Sequence, residues 1–94
     1  MKPLANNREL YEYLLHLTAE LKKLKLEELS EAVAFASRHA GGMSTEFLGE
    51  SRIALRRVLN EEDGVLPPQG SADISDVLRQ LDEALDGRRN SRRW

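Results

Sequence analysis

His39-Ala40-Gly41-Gly42-Met43-Ser44 separates two stretches of helical periodicity, and its reading decides the fold. Two consecutive glycines can take the positive φ that ends a helix, and Ser44 can accept a hydrogen bond from a free N–H of the next one. One helix is therefore expected to end near Ala40 and another to begin near Thr45, with Ser44 as N-cap. Met43 and Leu48 then fall at the two positions of a hydrophobic staple. So short a connection makes the flanking helices antiparallel neighbours.

Upstream, Asn6-x-x-Glu9 resembles a capping box and precedes Leu10, Tyr13, Leu14, Leu17, Leu21 and Leu24 at three- and four-residue steps, which predicts an amphipathic first helix. The apolar phase then breaks, because Leu24 and Leu26 lie on nearly opposite sides of a continuous helix while Leu26, Leu29, Val33, Ala36 and Ala40 resume good spacing. Every residue of Lys22-Lys23-Leu24-Lys25-Leu26 favours helix, but the phase change places a break near Lys25. The second helix buries a stripe that includes Ser30, Ala36, Ser37 and Ala40, small enough to admit a close neighbour. Phe35 falls off that stripe, beside Glu28, Glu31, Ala32 and His39. Leu15 on the first helix and Ile53 on the third are off-stripe as well, Ile53 among Glu46, Glu50 and Arg57.

Downstream, Phe47, Leu48, Ser51, Ala54, Leu55, Val58 and Leu59 share the inner face of the third helix, and Glu61-Glu62-Asp63-Gly64 ends it. Val65 and Leu66 are expected to cross the bundle as an extended apolar strap before Pro67-Pro68-Gln69-Gly70. Ser71 or Asp73 then caps a last helix with the cleanest stripe of the chain, Ile74, Val77, Leu78, Leu81, Ala84 and Leu85, closed by Gly87. The fold expected is an all-α compact bundle of about four helices, with helices two and three as its central αα-hairpin. Residues 1–87 form a single helical domain, and 88–94 a basic tail expected to be disordered.

Composition narrows function by exclusion. Ninety-four residues, 40% hydrophobic and 32% charged, suit one folded helical domain, and the absence of cysteine excludes disulfides, thiolate nucleophiles and cysteine-based zinc sites. Neither an apolar leader nor a run of eighteen apolar residues is present, so the expected location is cytoplasmic, with no membrane partner. The net charge of −2 hides a division: residues 1–60 carry nine basic and eight acidic side chains, 61–86 one basic and eight acidic, and 87–94 four arginines. The acidic segment and basic tail can meet each other or partners of opposite charge.

No motif for catalysis emerges. The two histidines, His16 and His39, stand in neither a His-Glu-x-x-His pair nor a phosphoacceptor pattern, and no Walker-type loop, nucleophile elbow or calcium loop occurs. The expectation is a non-enzyme with no catalytic residue, cofactor, metal or small-molecule substrate. Helix, turn and helix from Ser30 to Arg57 superficially suits a DNA-reading motif, but Glu46 and Glu50 at its front repel phosphate.

Three functional expectations follow. The first is a protein–protein interaction module, most simply a homodimer, with Leu15, Phe35, His39 and Ile53 at the interface. The second is an acidic, antitoxin-like inhibitor that holds a basic partner through residues 61–86. The third is nucleic-acid association through Arg88, Arg89, Arg92, Arg93 and Trp94, which can pair phosphate and stack on a base.

Overall fold

The computed structural model describes residues 4–86, an all-α bundle of four helices. They are α1 (Asn7–Lys23), α2 (Glu27–Ser37), α3 (Ser44–Glu61) and α4 (Pro68–Asp86), with a 3₁₀ turn at Arg38–Gly41 after α2.

The start of α1 follows its sequence signal. The Asn6 side-chain oxygen accepts from Glu9 N–H at 2.9 Å, while Glu9 reaches back to accept from Ala5 N–H at 2.8 Å. Leu10, Leu14, Leu17 and Leu21 are buried, as the stripe requires.

The corner after α1 sits where the apolar phase breaks, and its hydrogen bonds show how a helix-favouring sequence stops. Leu26 N–H donates to the Leu21 carbonyl at 2.9 Å and Lys25 N–H to the Lys22 carbonyl at 3.1 Å, the two bonds of a Schellman motif. Lys25 takes the left-handed position this motif demands, with φ +66°. The corner lets α2 fall back onto α1, where buried Ser30 donates its hydroxyl to the Thr18 carbonyl at 3.0 Å. A larger side chain at 30 would hold the two helices apart.

The Gly41-Gly42 stop differs from its expected form. α2 ends at Ser37, and its last carbonyls are satisfied by tightening into 3₁₀ geometry, with Gly42 N–H bonded to the His39 carbonyl at 3.0 Å. Gly42 has φ −101°, and Gly64 is the positive-φ glycine among the described residues. α3 begins one residue early, with Met43 as an extended N-cap whose carbonyl accepts from Phe47 N–H. Ser44 is therefore not the cap; its hydroxyl accepts from Asn7 Nδ2 at 2.9 Å and ties α3 to the start of α1. The register shift also removes the staple, since Met43 is 71% exposed while Leu48 is buried.

α3 runs antiparallel to α2, because Arg57 near its end meets Glu28 at the start of α2 at 3.6 Å. It stops where acidic residues and glycine said it would. Asp63 and Gly64 both take positive φ, and Val65 N–H closes the turn on the Glu62 carbonyl. Of the expected strap, Leu66 is buried and Val65 exposed. α4 starts at Pro68 rather than at Ser71 or Asp73: a proline in the first turn lacks only an N–H that would have no intrahelical partner.

α1 packs on α2, α2 on α3 and α3 on α4. The short connection 62–67 turns α4 back antiparallel along α3, and Asp82 in the second half of α4 meets Arg52 at 3.1 Å and Arg56 at 3.4 Å near the middle of α3. The leading segment closes the bundle through a buried bond from Leu4 N–H to Gln80 Oε1 at 2.8 Å. Phe47, Leu55 and Val58 meet Leu14, Leu21, Val33, Ile74 and Leu81 in one core.

Candidate functional site

The outer faces of α2 and α3 enclose an open groove of about 540 Å³. Its α2 wall is Glu28, Glu31, Ala32 and Phe35, and its α3 wall is Glu50, Ile53, Ala54 and Arg57. Both sets follow i, i+3, i+4, i+7 spacing, so each helix carries a second stripe besides the one that enters the core. The middle of the groove is apolar and its rim is charged.

Two large apolar side chains dominate it. Phe35 is 52% exposed and Ile53 63% exposed, amounts that would be removed from water by an occupant. Phe35 is held by its own helix end: the His39 ring meets it edge-on with centroids 5.0 Å apart, and the Arg38 guanidinium lies 6.0 Å from its centroid. His39 Nδ1–H in turn donates to the Phe35 carbonyl at 3.2 Å, so the 3₁₀ turn fixes imidazole and phenyl together. His39 thus positions Phe35 rather than lining the groove itself.

The rim is acidic on balance. Glu28, Glu31 and Glu50 face one cation, Arg57, which is shared between Glu28 at 3.6 Å and Glu61 at 3.0 Å. The structure therefore brings Phe35 and Ile53 to one groove with His39 behind Phe35, while Leu15, 44% exposed on α1, does not line it. Sequence reasoning assigned the neighbours of Phe35 and Ile53 to each helix separately. It placed Ala54 only on the core face, although Ala54 also reaches the groove.

The acidic segment is largely engaged within the chain. Glu61 pairs with Arg57, Asp76 with Arg79 and Asp82 with Arg52 and Arg56, while Glu62 accepts from Leu66 N–H and Asp73 from Gln69 Nε2. A smaller cavity of about 250 Å³ lies between α1 and the start of α4, among Tyr13, His16, Leu17, Glu20, Leu66 and Asp73. Burial there pushes the Tyr13 phenol above its ordinary value, and the Asp73 carboxylate pushes it the same way. Among the described residues, no group of three or more His, Asp or Glu side chains could hold a metal ion, and no helix is long and apolar enough to cross a membrane. Arg88, Arg89, Arg92, Arg93 and Trp94 lie outside the described residues.

No protein-family model matches the chain, and no curated protein or solved structure matches it.

Proposed function

We propose that the protein is a non-enzymatic helical interaction module that pairs with a second copy of itself through the α2–α3 face. The observation that carries this reading is the convergence of Phe35 and Ile53 on one groove. Two exposed apolar side chains on separate helices are unremarkable when scattered, but together they offer a desolvation centre ringed by charge, the anatomy of an interface hot spot. The groove also suits a two-fold pairing. Glu28 and Arg57 stand at one end and Phe35 and Glu50 at the other, so an antiparallel copy sets Arg57 of each chain toward Glu50 of its mate. Light scattering of the wild type and of Phe35→Glu tests the reading. A dimer that the substitution converts to a monomer is expected; a wild type that stays monomeric at high micromolar concentration overturns it.

A second reading has one observation in its favour. Three carboxylates against one shared arginine on the rim suit a basic protein partner, and association would then slow steeply with salt. An acidic inhibitor that works through residues 61–86 draws less support, because Glu61, Asp76 and Asp82 already hold arginines of their own chain. Nucleic-acid association rests on residues 88–94 alone.

A further inference from the structure

We propose that residues 87–94 seat in the α2–α3 groove of their own chain, with arginines on the Glu31 and Glu50 carboxylates and the Trp94 indole against Phe35 and Ile53. The inference rests on the groove being the binding face, though not on what else binds there.

Complementarity motivates it. The groove presents an apolar centre and an acidic rim, and the segment Arg88-Arg89-Asn90-Ser91-Arg92-Arg93-Trp94 presents four cations and one large aromatic. Guanidinium forks pair well with carboxylates, and an indole covers exposed phenyl and alkyl surface. No other segment of the chain combines these two properties: the remaining arginines occur singly or within α3, where Arg52 and Arg56 are engaged by Asp82.

Placement and reach agree with it. α4 runs antiparallel to α3, and Asp82 is beside Arg52, so Asp86 one turn further on lies toward the start of α3. That is the end of the bundle where the groove opens at Phe35 and Glu50. To enter, the segment must cross α3, a cylinder roughly 10 Å across. Eight residues extend to roughly 26 Å, enough to cross it and bring Trp94 to Phe35 and Ile53.

Linkage makes the intramolecular seat favoured over exchange with a second copy. A short tether gives an effective concentration on the order of 1 mM. If the isolated segment bound the groove at about 0.1 mM, docked and free forms would stand at roughly ten to one, and any other occupant of the groove would bind about tenfold more weakly. The segment then acts as a built-in competitor that sets the threshold for pairing.

Trp94 is the sole tryptophan of the chain, so its fluorescence reports on this segment alone. The full-length protein is measured at a dilution where light scattering shows monomer, which separates this test from that of self-association. The expected result is blue-shifted emission with an acrylamide quenching constant lowered about tenfold, because at about ten to one only roughly one segment in eleven is free. High salt, Phe35→Glu and Ile53→Glu should each return both readings to those of a hydrated indole; both variants lie on exposed side chains and leave the core intact. Emission of a hydrated indole in the wild type overturns the proposal, as does shielding that neither variant relieves. Shielding that increases with protein concentration overturns it too, since the groove occupied would then belong to another copy.

Discussion

Replacing Lys25 by glycine should stabilise the protein, and the sign of the effect tests the α1–α2 corner directly. Lys25 occupies the left-handed position of the Schellman motif at φ +66°. A side chain bearing Cβ costs about 1–2 kcal/mol in that conformation. Glycine removes this strain but brings about 0.5–1 kcal/mol of additional backbone entropy to the unfolded chain. The difference leaves a gain of up to about 1.5 kcal/mol with a mid-range value of about 0.75 kcal/mol, a rise in midpoint temperature of about 3–6 °C for a domain of this size. Lys25→Ala serves as control: it keeps the strain and removes only an exposed amine, so its stability should match the wild type. Urea unfolding followed by circular dichroism gives both values. Were α1 and α2 one helix through this point, glycine would instead cost about 1 kcal/mol relative to lysine or alanine. A destabilised Lys25→Gly variant would therefore refute the corner, and with it the packing of Ser30 on Thr18 that the corner permits.

Two other perturbations probe the interior. Ser51 is fully buried on α3 and its hydroxyl finds no hydrogen-bond partner, so Ser51→Ala should stabilise by about 1–2 kcal/mol through relief of desolvation and better helix propensity; a loss of stability on chemical denaturation would contradict this. Tyr13 has its phenol raised above the ordinary value of 10.0 by burial first and by Asp73 second. A raised folded-state value means that this contribution is fully present below the unfolded phenol's pKa and is lost as pH climbs above about 10 toward the folded value. Tyr13→Phe should lack that alkaline loss, and equal slopes of stability against pH in the two proteins would rule the effect out.

Four helices were legible in the sequence because each core stripe is long and strongly periodic. The corner at Lys25 was legible as well, though only as a phase error between Leu24 and Leu26, since no glycine or proline marks it. Left-handed backbone was harder to place. Gly41-Gly42 looked like its natural site, yet α2 finishes in a 3₁₀ turn there, and the left-handed residues are Lys25, Asp63 and Gly64. Glycine permits positive φ without demanding it; the demand comes from which carbonyls remain unpaired, a property of tertiary context. Ser44 was misread for a related reason, as its hydroxyl had a distant alternative in Asn7 that no local pattern encodes. The buried bond between Leu4 and Gln80 spans most of the chain and left no periodic trace.

The candidate groove was legible in halves. Phe35 with its acidic neighbours and Ile53 with its own were each visible as off-stripe residues, but a single sequence cannot say that two outer faces adjoin. What joins them is the small-residue face of α2. Ser30, Ala36 and Ser37 let this helix settle inward, which leaves its one aromatic side chain, Phe35, at the seam with α3. The charge of the groove has a matching origin. On α3, Arg52 and Arg56 lie about 100° and about 60° around the helix from Ile53, on the same side, and point to Asp82 of α4, so two of its three arginines are turned away from the glutamates of α2. Only Arg57 faces those glutamates, and it is divided between Glu28 and Glu61. The pairing that holds α4 to α3 is thus the same arrangement that leaves the α2–α3 rim acidic. An occupant that supplies cations around an apolar centre completes both, whether it comes from a second copy through Arg57 or from the arginines beyond Gly87.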